Sequence, residues 1–286
     1  MDHVTQTPFT TYDGHNLAVC DWHLWGTRRP RAIVLIVHGL GEHAWRYNTL
    51  ANELNAWGFV VRAYDQRGHG ESSGKRGCVP DDDTLLRDLA DMLDDTRAVH
   101  GRRGEVPLIL LGHSMGGLVS ALHVAGQMAA GKSAAVDALV LSSPALDPGL
   151  GAVQRALLTL LPPVLSDVTV SNGLDPMRLS HDKQAVQAYL NDPRVHDRMS
   201  PRLGRFIADS GPLVQRHAAQ WSVPTLLMWA GADGLVNPAG SQRFAAAAPA
   251  GVVQAHCFED MYHELFQETN RSEVTSHLRR WLDDRF

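Results

Sequence analysis

The sequence predicts an α/β fold in which a mostly parallel, doubly wound sheet carries one inserted helical segment. Three observations lead there. Short, almost wholly apolar runs recur along the 286 residues, segments of helical spacing separate them, and the alternation lapses once, between Pro144 and Val223. Continuous apolar runs suit parallel strands, because such strands are covered on both faces. Strand and helix in alternation imply right-handed crossovers and helices on both sides of the sheet.

In chain order, Val34–Val37 is a β-branched run that ends at HGLG, and FVVRAYD at 59–65 follows a helical pattern over 46–57. A helix over 84–100 leads to VPLILL at 106–111, and a helix over 115–130 to ALVLSS at 138–143. After the lapse come PTLLMWAG at 224–231, a helix over 241–248, VVQAHCF at 252–258 and a closing helix over 271–283. Residues 145–222 are too long for a plain loop and are broken by several prolines and glycines. They are expected to form a helical cap on a core made of 1–144 and 223–286, lying over the C-terminal edge of the sheet, where open α/β sheets bind ligands.

Composition narrows the function classes. Hydrophobic residues make up 44% of the chain, enough to bury a substantial core. The 26 Lys and Arg against 31 Asp and Glu give a net charge of -5 with no basic patch, so a nucleic-acid partner is not expected. Cys20, Cys78 and Cys257 are odd in number and widely spaced, without a CxxC pair, which suits a reduced, cytoplasmic setting. MDHVTQTPFTTYDG has neither the basic nor the apolar region of a secretion signal. The greasy run ALLTLLPPVL at 156–165 contains two prolines and falls short of the ~20 residues of a membrane span. No HExxH and no glycine-rich dinucleotide turn is present, so neither a metal nor a nucleotide cofactor is expected.

The chemistry centres on GHSMG at 112–116. Ser114 follows a strand and opens a helix whose Met115, Leu118, Val119 and Leu122 keep helical spacing, the strand–turn–helix setting of a nucleophile elbow. So sharp a turn strains the serine backbone, and Gly112 and Gly116 let strand and helix approach. A neutral hydroxyl is a poor nucleophile and needs a base, itself oriented by an acid. In this architecture the acid and then the histidine follow the serine, on loops after strands. His263, in YHELF after the last strand, is the base. Two aspartates fit the acid: Asp233, in the glycine-rich turn WAGADG, and Asp147, in SSPALDPG after an earlier strand; the turn favours Asp233. The oxyanion donors are the N–H of Met115 and, from the HGLG loop, that of Leu40. His38, His43, His69 and His113 are expected as hydrogen-bonded turn or pocket residues.

HGLGEHAWRY, YDQRGHGESSG, GHSMGG, LSSPAL, WAGADGLV and YHELFQE, in this order, resemble the monoacylglycerol lipase group of serine α/β-hydrolases, in the serine aminopeptidase S33-type family. The likeness runs from about residue 30 to the end and includes LSHD and AYLNDPRVHDRMSPRLGRF in the cap. It implies an α/β-hydrolase fold and a cytosolic or membrane-peripheral esterase that cleaves a fatty acyl ester of glycerol without a cofactor. Ser114, Asp233 and His263 would be its triad, with Leu40 and Met115 at the oxyanion hole. Glu42 and Arg46 match residues that shape the alcohol end of the pocket, and Tyr189 a cap tyrosine that binds glycerol. The chain departs from the pattern at DPR, where the group has DPL, and at SHD, where SRD is common. Arg194 there implies a guanidinium turned outward or a more polar substrate, such as a lysophospholipid, a short-chain ester or a non-water acyl acceptor. Retention of every triad part argues against a non-catalytic receptor on the same scaffold. The stretch AVQRALLTLLPPVL, with Val153, Ala156, Leu157, Leu160 and Leu161 on one face, is expected to touch a lipid surface, line the acyl tunnel or pack on the sheet.

Overall fold

A computed structural model describes residues 3–24, 26, 29–101, 105–151 and 168–286. The chain opens with β1 (Val4–Thr10) and β2 (Asn16–Trp22), then β3 (Ile33–Val37), α1 (Asn48–Ala56), β4 (Val60–Tyr64), α2 (Thr84–His100), β5 (Leu108–His113), α3 (Met115–Ala129) and β6 (Ala138–Ser142). The segment expected as a cap contributes β7 (Val170–Ser171), α4 (Lys183–Asn191), β8 (Arg198–Met199) and α5 (Pro201–His217). β9 (Thr225–Ala230), α6 (Ala239–Ala247), β10 (Val253–Phe258) and α7 (Arg271–Asp283) complete it.

Eight strands form one sheet in the order β1-β2-β4-β3-β5-β6-β9-β10. From β4 to β10 neighbours are parallel, whereas β1 and β2 pair antiparallel and β2 joins β4 antiparallel. The sheet is therefore mostly parallel with an antiparallel edge. That β1–β2 hairpin was not expected: VTQTPFT is largely exposed and polar, so it lacks the apolar run that marks the inner strands.

Inside β3 the side chains alternate between two cores. Ile33, Leu35 and Val37 pack with Leu85, Leu89 and Met92 of α2 and with Leu118 and Val119 of α3. Val34 and Ile36 face Leu50 and Leu54 of α1 and Val274, Leu278 and Trp281 of α7. Both faces of the sheet are thus covered, which is why the strands read as unbroken apolar runs. Leu203, Phe206, Ile207 and Val214 of α5 join the first of these cores, so this helix packs in the layer of α3. β7 and β8 form a separate two-stranded ladder. The apolar stretch over 152–165 lies outside the described residues. Among the described residues, no helix is long and apolar enough to cross a membrane.

Candidate active site

β5 delivers Ser114 to the C-terminal edge of the sheet, and its backbone has φ 52° and ψ −119°. A positive φ is costly for a residue with a Cβ and persists only where the surroundings impose it. Here the Ser114 N–H donates to the Ser142 carbonyl at 3.0 Å, and the Ser114 carbonyl accepts from Leu118 and Ala145, both at 3.0 Å. The expected glycine requirement is visible as distances. A Cβ on Gly116 would lie 2.2 Å from the Val37 carbonyl oxygen, and one on Gly112 would lie 2.6 Å from that of Gly116. Ser143, the residue after β6, also has a positive φ, 41°, a strain that no motif announces.

Asp233 and His263 sit on the turns after β9 and β10, adjacent parallel strands, so the topology brings them together. The His263 Nδ1–H donates to Asp233 Oδ2 at 2.7 Å. Asp233 Oδ1 accepts the Leu235 and Val236 N–H groups, each at 2.9 Å. Both side chains are almost wholly buried, at 5% and 3% exposure. Burial alone would push the His263 pKa down, but the charge and hydrogen bond of Asp233, with Glu264 and Glu42 behind, outweigh it and raise it above the ordinary value. Burial likewise raises the Asp233 carboxyl, and His263 and the two N–H donors overcome it, leaving the pKa below the usual range. Nδ1 faces a carboxylate and carries the proton, which leaves Nε2 with a lone pair.

Ser114 is half-buried, and its Oγ has no hydrogen-bond partner among the described residues. Its neighbour His113 packs ring to ring with His263 at 4.8 Å. Burial and the nearby His263 push the His113 pKa down to about 4, so this second imidazole stays neutral. Asp147, the competing acid, is taken by Arg243 at 2.8 Å and by the Asn237 amide at 3.1 Å. Met115 heads α3, and its N–H has no carbonyl one helical turn back to bond. Leu40 is half-buried in the loop after β3.

Glu42, Arg46 and Tyr189 come together, but Glu42 is committed to the protein itself. Its Oε1 accepts the Gly39 N–H at 2.6 Å and the Tyr47 hydroxyl at 2.7 Å, and its Oε2 accepts from Arg46 at 2.8 Å. Burial would raise this carboxyl, yet Arg46, His113, His38 and the Gly39 N–H lower it to about 2. Arg46 grips Glu264 through two nitrogens, at 2.5 and 2.7 Å, and its guanidinium carbon lies 4.8 Å from the centre of the Tyr189 ring. The pair is thus part of a buried network and not a surface ion pair. Arg46 and Tyr189 also line a cavity of about 200 Å³ with His43, Trp45, Asp192 and Gln267.

Arg194 closes its guanidinium on Asp192 at 2.8 Å and also borders a cavity of about 240 Å³ with His43, Trp45 and Asp65. His181 stacks on Tyr262 at 3.7 Å and hydrogen-bonds Glu268. Sequence reasoning missed three acids here. Glu264 neutralises Arg46, Glu268 accepts the Tyr262 N–H at 2.8 Å and so anchors the His263 turn, and Asp192 bonds His43 at 2.9 Å. Glu264 and Glu268 stand in the YHELFQE motif, but no spacing rule links them to partners elsewhere in the chain. His38, His43, His69 and His113 are all buried and hydrogen-bonded, as expected. Among the described residues, no group of three or more His, Cys, Asp or Glu could hold a metal ion.

Sheet order, strained serine turn and carboxylate–imidazole pair define an α/β-hydrolase, of the carboxylic-ester hydrolase class. A profile of the family described as serine aminopeptidase, S33, matches residues 28–270, and the chain belongs to that family. It is similar to a monoacylglycerol lipase of Mycolicibacterium smegmatis, 33% identical over 260 residues that cover 88% of each chain. An uncharacterized abhydrolase domain-containing protein of Dictyostelium discoideum is 31% identical over 260 residues, 90% of this chain but 27% of that longer protein. The crystal structure of a monoacylglycerol lipase from Paleococcus ferrophilus superposes with a TM-score of 0.79 at 30% identity, over 98% of both chains.

Proposed function

We propose that the chain cleaves a monoacylglycerol to a free fatty acid and glycerol through an acyl-enzyme on Ser114. One observation carries the reading: an imidazole bonded to a buried carboxylate packs on His113, the residue next to a serine held in a strained turn between strand and helix. The reading requires Ser114 Oγ to meet His263 Nε2 when substrate is bound, since catalytic hydrogen bonds tighten in the substrate complex. His263 Nε2 takes the hydroxyl proton as Oγ attacks the ester carbonyl, and Asp233 holds the ring and stabilises the imidazolium. The Leu40 and Met115 N–H groups receive the oxyanion. Collapse expels glycerol, protonated by His263. Water, deprotonated by the same nitrogen, then releases the fatty acid and restores the serine.

The substrate assignment draws on the relatives and on charge. The two arginines of the expected pocket are each paired, Arg194 with Asp192 and Arg46 with Glu264 and Glu42, which leaves neither charge uncompensated for a phosphate. A neutral glycerol ester requires no free cation, and Arg46 and Tyr189 border the cavity assigned to its alcohol end. Residues 145–222 are read as the cap, with α5 shared with the core layer. Among its described residues Val168, Val170, Met177 and Leu190 are exposed apolar side chains, and we add them to the stretch over 152–165 as the part proposed to touch a lipid surface. Loss of vesicle co-sedimentation in Leu190→Asp would support that contact, and unchanged binding would remove it.

The test is turnover on a panel of monoacylglycerols, lysophospholipids and short synthetic esters, with Ser114→Ala alongside. The variant is expected to lose about 10³- to 10⁶-fold in kcat. An unchanged rate would remove the nucleophile, and preference for a phospholipid would overturn the substrate while leaving the chemistry.

A further inference from the structure

The loop that carries Leu40 is gripped from two sides. From the core, Glu42 accepts the Gly39 N–H at 2.6 Å. From the cap segment, the His196 N–H donates to the Gly41 carbonyl at 2.9 Å, and the His43 Nε2–H donates to Asp192 Oδ2, also at 2.9 Å. Leu40 lies between these anchors in the chain. The approach is so close that Gly41, at φ +78°, has no room for a side chain: a Cβ would lie 2.3 Å from the His196 carbonyl oxygen.

Asp192 is itself held in place. Its Oδ1 accepts the Arg194 N–H at 2.9 Å and Nε–H at 3.0 Å, and its Oδ2 accepts from Arg194 Nη2 at 2.8 Å. A guanidinium fork meeting both carboxylate oxygens fixes the plane of the acid as well as its position. That plane aims Oδ2 at His43, whose ring is 1% exposed. The arginine that departs from the DPL pattern thus has a partner within the protein.

We propose that Asp192, braced by Arg194, is a positioning residue that keeps the Leu40 N–H aimed at the oxyanion. The inference rests on the reading of Leu40 as a donor and adds to it that the cap segment helps to build the hole. A displacement of about 1 Å in such a group can cost ~10²-fold in rate. Asp192 also borders the cavity assigned to the alcohol end, so a ligand without a carbonyl is needed to separate a positioning role from a wall contact.

The experiment compares wild type, Asp192→Ala, Arg194→Leu and Arg194→Lys with two ligands. A trifluoromethyl ketone forms a tetrahedral oxyanion on the serine, and a monoalkylglycerol ether has no carbonyl. Asp192→Ala is expected to lower kcat on p-nitrophenyl acetate about 10- to 100-fold and to weaken the ketone by a similar factor, with ether binding within about twofold. Arg194→Leu should shift both in the same direction by about 3- to 10-fold, and Arg194→Lys by less. Unchanged ketone affinity would overturn the proposal, as would ether and ketone weakening together, which marks a substrate wall. If Asp192→Ala fails to fold by circular dichroism, Arg194→Leu decides, since it keeps the Asp192 carboxylate and removes only its brace. If Ser114→Ala keeps its activity, the underlying reading fails; if Ser114→Ala is inactive while the Asp192 and Arg194 variants keep their ketone affinity, only the positioning role fails.

Discussion

Asp233→Asn is expected to cost about 10⁴-fold in kcat/KM, because it reverses the tautomer of His263. Oδ1 of Asp233 faces two main-chain donors, the N–H groups of Leu235 and Val236 at 2.9 Å. An asparagine must place its carbonyl oxygen there, since an NH₂ cannot accept from either. Its NH₂ then replaces Oδ2, 2.7 Å from His263 Nδ1. A donor at that point requires a bare Nδ1, so the ring proton moves to Nε2 and Ser114 meets an N–H in place of a lone pair. The size follows from what the wrong tautomer costs a Ser-His-Asp triad, about 10⁴ in rate, or ~5.5 kcal/mol of transition-state stabilisation. Initial rates on a soluble p-nitrophenyl ester measure it, with circular dichroism to show that the fold persists. Asp147→Asn is the control, because its carboxylate is paired with Arg243. A rate for Asp233→Asn within tenfold of wild type, or an equal loss in Asp147→Asn, would refute the reasoning.

Three further outcomes are expected. His263 must be neutral to act as base and its pKa is raised, so kcat/KM should fall with acid through a value above the ordinary 6.5. In Asp233→Asn burial acts without the carboxylate and the limb should move to lower pH; a wild-type limb well below 6.5 would contradict this. The same sign makes His263 a stabilising group at low pH whose contribution fades as pH rises through its folded pKa. Gly116→Ala drives a Cβ to 2.2 Å from the Val37 carbonyl and 2.4 Å from that of His38, which should destabilise the fold by about 1–3 kcal/mol or more in urea titration. Arg46→Ala leaves the Glu42 and Glu264 carboxylates buried without their cation and should cost about 3–5 kcal/mol, read as a lowered urea midpoint; an unchanged midpoint would show the network to be hydrated.

The inner strands were legible because each is buried on both sides, so IVLIV, LILLGH and TLLMWA carry their position in their composition. β1 was not, since an exposed edge strand such as VTQTPFT is under no such constraint, and β7 and β8 are two residues long and carry no period. Ser114 was legible for a similar reason: a strained turn between strand and helix needs glycines at fixed offsets. The Asp233–His263 pairing followed from topology, which puts the ends of adjacent parallel strands side by side. The contacts that surround them did not. Arg46 meets Glu264 across 218 positions and His43 meets Asp192 across 149, and no periodicity spans such gaps. Both pairs join the HGLGEHAWRY motif to an acid whose own neighbours in sequence do not name its partner.

The central claim is a covalent ester on one oxygen, and it can be weighed directly. Protein quenched in acid during turnover of a monoacylglycerol, then digested and examined by mass spectrometry, should carry one acyl group, on the peptide that contains Ser114. The same treatment of Ser114→Ala should give none. An acyl group on another residue, or full turnover by the variant, would contradict the account.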